Sequence, residues 1–103
     1  MLKHCVFLNF RDDVPVADRR AVLQGLGDIM PEVPGMISYD SGPNLDFEGK
    51  SPAYDHGFIV TFRDRSAHLA YEGLPRHVEL GGQLVSMCLG GHDGIMVVDL
   101  DCG

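Results

Sequence analysis

Basic residues are scarce in this sequence. Eight lysines and arginines stand against fifteen aspartates and glutamates, which gives a formal net charge of −7. A surface that follows phosphate groups needs clustered positive charge, so nucleic acid and anionic membranes are excluded as expected partners. Hydrophobic residues make up 45% of the 103 residues, which excludes a disordered chain. The length predicts a single domain, residues 1–103, with one modest core.

Cysteines are also few, and their spacing is not that of a disulfide framework. Cys5, Cys88 and Cys102 form no Cys-x-x-Cys pair and leave one thiol unpaired in any arrangement, a pattern typical of a reducing compartment. No apolar stretch approaches transmembrane length. The apolar stretch 5–8 is too short for the core of a signal peptide. We therefore expect a soluble cytoplasmic protein.

The motifs of the common cofactor and metal sites are missing as well. The sequence has no Gly-x-Ser-x-Gly elbow, phosphate-binding loop or dinucleotide fingerprint. Its five histidines never show His-x-x-x-His spacing. His92-Asp93 lies in a glycine-rich turn with no third ligand nearby, so a plain turn is expected there. We expect neither a metal nor a cofactor.

The apolar residues that are present alternate in several segments, which predicts strands, and two longer segments between them predict helices. The predicted strands are residues 2–10, 36–41, 54–63 and 95–100, and the predicted helices are residues 12–30 and 64–87, the second interrupted near Pro75. The order β-α-β-β-α-β is that of a ferredoxin-like α+β fold with a four-stranded antiparallel sheet.

The first predicted helix carries an apolar stripe and two glycines. The residues expected to face inward are Ala21, Val22, Leu26 and Ile29. Gly25 and Gly27 weaken the helix, but their missing side chains permit close packing against a neighbouring element.

The predicted strands are apolar on both faces, although two helices cover only one face of a four-stranded sheet. Cys5, Phe7, Ile59 and one side of residues 95–98 would leave a large exposed apolar patch on a monomer. Packing this face against a second copy removes about 800 Å² per partner at typical interface size. We therefore expect a homodimer through the open sheet face, with two-fold symmetry.

A tyrosine and a histidine flank the predicted helix break. Pro75 removes a backbone donor and disfavours helical geometry at Leu74, so the resulting kink can bring Tyr71 and His77 toward one pocket. An imidazole with an ordinary pKa near 6.5 accepts protons at neutral pH, and a phenol can donate to an enolate or carbonyl oxygen. His77 as general base and Tyr71 as acid or oxyanion donor are the predicted catalytic pair. The alternative is that both are polar groups satisfied in or near the core.

Two further histidines lie near the starts of predicted strands beneath this pocket. His4 and His56 are the expected ligand-binding residues. Because the first and third strands should be antiparallel neighbours, the two side chains lie toward opposite ends of the sheet and need not share a site. His68, in the first turns of the second helix, is expected to be solvated.

Four segments in this order resemble the stress-responsive dimeric α+β barrel (Dabb) family. The segments are 3–10, 54–62, Ala70-Tyr71 with Pro75-Arg76-His77-Val78, and Val97-Val98-Asp99. The resemblance covers nearly the whole chain. It implies a ferredoxin-like protomer whose sheet packs against its partner's sheet to form a dimeric α+β barrel.

The resemblance also implies site residues. One member of that family is a polyketide cyclase that uses no cofactor; its active-site tyrosine and histidine match Tyr71 and His77, and its other pocket histidines match His4 and His56. Many members read His-Pro-x-His where this chain has Leu74-Pro75-Arg76-His77. Loss of the first histidine is expected to make the pocket more apolar.

Three functions remain open from the sequence. The first is a stress-responsive homodimer with a small apolar or aromatic ligand held between sheet and helices. The second is a cofactor-free enzyme, polyketide-cyclase-like or a lyase, that uses His77 and Tyr71. The third is a cofactor-independent monooxygenase of the kind found on related dimeric α+β barrels.

Overall fold

The chain contains four strands and three helices, and the computed structural model describes all 103 residues. The strands are β1 (Leu2–Leu8), β2 (Met36–Pro43), β3 (His56–Phe62) and β4 (Ile95–Asp101). The helices are α1 (Val16–Asp28), α2 (Arg65–Gly73) and α3 (Pro75–Met87). The predicted β-α-β-β-α-β order is confirmed, with the second helix divided into α2 and α3. None of the helices has the length and apolar character needed to cross a membrane.

The strands form one antiparallel sheet in the order β2-β3-β1-β4. Strand β1 is central, and its His4 lies directly opposite Val60 of β3 and Asp99 of β4. Side chains alternate along a strand, so His4 shares one sheet face with Val6, Leu8 and these two partners. The helices cover this face.

The hydrophobic core lies between that face and the helices. Val6 and Leu8 of β1 pack with Phe58, Val60 and Phe62 of β3. From α1, the side chains of Val22, Leu23, Leu26 and the following Ile29 complete this layer.

Some predicted details of the first helix and strand are wrong. Ala21 is exposed and Leu23 is buried in its place, whereas Val22, Leu26 and Ile29 are buried as expected. Pro15 has an extended backbone (ψ 142°), and α1 therefore begins only at Val16. Strand β1 ends at Leu8. Phe10, which the sequence places in the strand, makes only an isolated β-bridge to Cys88, the residue that follows α3.

Helix α1 approaches the sheet closely at Gly27. A Cβ atom at this position would lie 2.7 Å from Cδ1 of Tyr39, closer than packed carbon atoms allow. The Tyr39 hydroxyl donates a 2.7 Å hydrogen bond to the Leu23 carbonyl. The expectation that this glycine permits close packing is confirmed.

The division between α2 and α3 lies at Leu74. This residue has an extended backbone (φ −67°, ψ 127°), and Pro75 is the first residue of α3. Asp64 caps the N-terminus of α2 because its Oδ1 accepts a 3.0 Å hydrogen bond from the Ala67 backbone N–H. The predicted interruption near Pro75 is confirmed.

The second face of the sheet is covered by no helix. Ile59, Met96, Val98 and Leu100 are exposed there, and Phe7 is half-buried among them. The strands are therefore apolar on both faces, as their sequences predict.

Candidate functional site

A cavity of about 560 Å³ lies between the helix-covered sheet face and helices α2 and α3. Nine of its sixteen lining residues are hydrophobic. The polar side chains among them include Tyr71 and His77 from the two helices and His4 from β1. A concave, mostly apolar space with a few convergent polar groups is typical of a small-molecule site.

Tyr71 and His77 meet across the helix break. Tyr71 lies in the last turn of α2 and His77 in the first turn of α3, and their ring centroids are 4.2 Å apart. In an unbroken helix, residues six apart would point about 120° away from each other. The extended backbone at Leu74 removes this constraint, so both rings reach the same cavity.

The Tyr71 hydroxyl is buried without a hydrogen-bond partner. Tyr71 is only 1% exposed, and its ring packs edge-on against Phe62 with centroids 5.2 Å apart. No other buried side-chain nitrogen or oxygen lacks a partner. Burial raises the pKa of Tyr71, so the phenol stays protonated at neutral pH and can act as a donor.

A backbone contact determines the tautomer of His77. Its Nδ1 lies 3.3 Å from the Glu72 carbonyl oxygen. A carbonyl oxygen only accepts, so Nδ1 carries the proton and Nε2 keeps a lone pair. Helix ends leave their last carbonyls without intrahelical partners, and His77 supplies one for α2. Burial lowers the pKa of His77, which keeps the imidazole neutral at pH 7.

His4 lies at the rim of the same cavity and is held by an acid. Its Nδ1 is 2.6 Å from Oδ1 of Asp99, the residue directly opposite on β4. The His4 ring centroid is 5.0 Å from that of His68 and 6.1 Å from that of Tyr71. Four polar side chains therefore line one end of the cavity: His4, His68, Tyr71 and His77.

The expectation that His68 is solvated is wrong. Its side chain is only 18% exposed, lines the cavity, and packs against Phe62 with centroids 5.4 Å apart. The physical reason is helical spacing, because His68 precedes buried Tyr71 by three residues and shares its inward side of α2.

The structure does not bring His56 to this cavity. His56 pairs with Leu8 at the far end of β3, four strand positions from the Val60 that pairs with His4. Its Nε2 is 2.9 Å from Oγ of Ser41, and burial lowers its pKa. The expectation that antiparallel pairing separates the two histidines is confirmed.

Leu74 has a different role from the expected one. Its side chain packs against the hydrophobic core and does not line the cavity, so the expectation that it makes the pocket more apolar is wrong.

Two residues of the site escape the sequence-based prediction. Asp99 could have been found by combining the β4–β1 pairing of a ferredoxin-like sheet with the alternation of Ile95, Val97 and Asp99. His68 could have been found from its three-residue spacing to Tyr71.

The four-stranded antiparallel sheet, covered on one face by the helices, defines a ferredoxin-like α+β protein. The chain belongs to the stress-responsive A/B barrel domain (Dabb) family, which matches residues 2–102. A stress-response A/B barrel domain-containing protein of Arabidopsis thaliana is 24% identical over 98 residues, which is 94% of this chain and 82% of the relative.

Two solved structures show how widely the fold is used. A dimeric ferredoxin-like protein of unknown function from Jannaschia sp. CCS1 is 41% identical, with a TM-score of 0.92 and 97% of each chain covered. The hydroxynitrile lyase of Passiflora edulis is 17% identical, with a TM-score of 0.81, 96% of this chain covered and 90% of the lyase. At that identity the lyase shows a shared fold alone.

The lowered pKa of His77 predicts a loss of stability in acid. The unfolded chain, with a histidine pKa near 6.5, takes up a proton that the folded chain resists, so the free energy of unfolding falls as the pH falls through about 6.5. Urea unfolding at about pH 7 and about pH 5 should show a larger difference for the wild-type chain than for His77→Gln. Equal differences in the two chains would contradict this assignment.

Proposed function

We propose that this chain is a homodimeric protein that binds a small, mostly apolar ligand in the 560 Å³ cavity. Tyr71, His77 and His4 contact the polar end of that ligand. The observation that carries the proposal is the buried Tyr71 hydroxyl, which has no hydrogen-bond partner in a cavity with mostly apolar walls.

An unpaired buried hydroxyl needs a reason, because leaving a buried polar group unsatisfied costs about 1–3 kcal/mol. A carbonyl, carboxylate or phenolic oxygen of a ligand would accept its proton. The ring centroids of Tyr71 and His77 are 4.2 Å apart, so the same ligand can reach both side chains. The lone pair on Nε2 of His77 favours a ligand that also carries a hydrogen-bond donor or an acidic C–H group. Both supports point to an oxygenated aromatic or polyketide-like compound.

Replacement of Tyr71 by phenylalanine should change stability and binding in opposite directions. Removing the unpaired hydroxyl should leave the free energy of unfolding of the ligand-free protein unchanged or raise it by up to about 1 kcal/mol. Affinity for a ligand found by a thermal-shift screen of aromatic and polyketide-like acids should fall about tenfold, as measured by calorimetry.

The matched control for this variant is His56→Gln, which alters a histidine outside the cavity. Its affinity for the same ligand should equal that of the wild-type chain. If Tyr71→Phe binds the ligand as tightly as the wild-type chain does, the hydroxyl does not contact it.

A second candidate function is a cofactor-free lyase or cyclase, favoured by the tautomer of His77. The bond from Nδ1 to the Glu72 carbonyl leaves Nε2 facing no protein donor, and the lowered pKa keeps it unprotonated at pH 7. In this proposal Nε2 removes a proton next to a substrate carbonyl, and the Tyr71 hydroxyl donates to the oxygen on which negative charge develops. The Passiflora edulis lyase supports the proposal only by showing that the fold accommodates an enzyme.

Replacement of His77 by alanine separates the two functions. If the chain is an enzyme, turnover of a compound identified by the ligand screen should fall by about 10²–10⁴-fold while its dissociation constant changes much less. Rates and affinities are measured separately, by product detection and calorimetry, with His56→Gln as control. Unchanged turnover on a true substrate removes His77 from the mechanism and leaves the binding function.

The homodimer is proposed from the apolar sheet face opposite the cavity. Ile59 and Val98 both lie directly opposite Cys5, at the centre of this face, and Met96 and Leu100 extend it along β4. A second concavity of about 460 Å³ on this face, lined partly by Phe7, would be enclosed by the partner. The Jannaschia relative, at 41% identity, is itself described as dimeric.

Charges at the centre of the open face should prevent dimerisation. A double variant, Ile59→Asp with Val98→Asp, buries two carboxylates in the proposed interface and should sediment as a monomer where the wild-type chain sediments as a dimer. Leu69→Asp, at an exposed position on α2, is the control and should remain dimeric. A double variant that is folded by circular dichroism and still dimeric places the interface elsewhere.

A further inference from the structure

Three ligand-type side chains meet where the cavity reaches the sheet edge. His4, His68 and Asp99 each present one donor atom, and these atoms lie within 4.8 Å of one another. The residues come from three different elements, β1, α2 and β4, so the sequence shows no metal-binding spacing. Their side chains are 13%, 18% and 44% exposed, respectively, which makes the cluster sheltered but reachable from solvent.

The cluster forms part of the wall between the cavity and an outer groove. His4 lines the cavity, Asp99 lines the groove of about 480 Å³, and His68 lines both. Asp64 and Asp101 also line the groove, together with two arginines. A cation can therefore enter from the groove without passing through the apolar cavity, and the net charge of −7 favours its approach.

The donor set selects among metals. Two imidazole nitrogens and one carboxylate oxygen suit Zn²⁺ and related transition ions, whereas Mg²⁺ and Ca²⁺ prefer oxygen ligands. Three protein ligands leave a fourth tetrahedral position open for water or for a ligand oxygen. The cluster contains no thiol, so it can be distinguished spectroscopically from any site at Cys5, Cys88 or Cys102.

We infer that His4, His68 and Asp99 form a binding site for one divalent transition-metal ion of the Zn²⁺ type per chain. Donor atoms on one tetrahedral Zn²⁺ lie about 3.3 Å apart, since each bond is about 2.0–2.1 Å long. The observed 2.6 Å between His4 Nδ1 and Asp99 Oδ1 and the 4.8 Å limit of the cluster lie on either side of this value. Side-chain shifts of about 1 Å therefore convert the hydrogen-bonded cluster into a coordinating one.

Metal coordination at His4 moves a proton within the ring. In the metal-free cluster the Nδ1–H of a neutral His4 imidazole donates to the Asp99 carboxylate. When Nδ1 coordinates the ion, Nε2 carries this proton instead, and a nitrogen–metal bond replaces the hydrogen bond. The site shares His4 with the proposed ligand function, so it is tested through His68 and Asp99, to which that function assigns no role.

The test is a Zn²⁺ titration of the 103-residue chain after chelator treatment, against a competing metal indicator. The wild-type chain should bind one equivalent of Zn²⁺. His68→Gln and Asp99→Asn should each weaken binding by more than about tenfold, since loss of outer-shell partners alone costs 10–100-fold. His56→Gln, which leaves the cluster intact, should bind as the wild-type chain does.

Other outcomes overturn the inference. If His68→Gln and Asp99→Asn bind Zn²⁺ as tightly as the wild-type chain does, the cluster is not the metal site. The same conclusion follows if His56→Gln loses more Zn²⁺ affinity than these two variants. A Co²⁺-loaded protein with a thiolate-to-metal charge-transfer band places the ion at a cysteine instead. Circular dichroism of the metal-free variants checks their folding; Asp99→Asn changes only charge at a half-exposed position and decides the question if His68→Gln does not fold.

Discussion

Strand β1 hydrogen-bonds to β3 along one edge and to β4 along the other. This double pairing determines which residues lie on the helix-covered face of the sheet and which lie on its open face. The register sets His4 beside Asp99 on the face that the helices cover. The same register sets Cys5 between Ile59 and Val98 on the face that they leave open. A shift of one residue in β1 would exchange these two sets, moving the imidazole to the apolar face and Cys5 to the cavity.

The cavity contains a buried polar group without a hydrogen-bond partner, whereas the core beneath it is closely packed. Phe62 and Val60 are fully buried in close packing, whereas the Tyr71 hydroxyl above them is buried with no partner. Natural proteins retain such unfavourable groups mainly at functional sites. Burial favours the uncharged form of both groups, because it raises the pKa of the Tyr71 hydroxyl and lowers the pKa of the half-buried His77 imidazole.

The sequence was sufficient wherever one local rule dominated. Alternation located the strands, and Pro75 predicted both the helix break and the convergence of Tyr71 with His77. Prediction failed where a side chain's partner or burial depended on how elements distant in sequence pack against each other. The partner of His4 is ninety-five positions away, and it is defined only by the β1–β4 register. The burial of His68 follows from its three-residue spacing to Tyr71 only once α2 is known to place Tyr71 inward, over the sheet.

The break at Leu74 separates the geometry of the site from the stability of the core. One extended peptide sets the angle between α2 and α3, and with it the distance between the tyrosine and the imidazole. The Leu74 side chain is partly buried at the edge of the core, not at its centre. Mutations at this position can therefore alter the spacing of the two polar groups while the strand layer keeps its packing. Related proteins could acquire different chemistries on one fold through this single hinge.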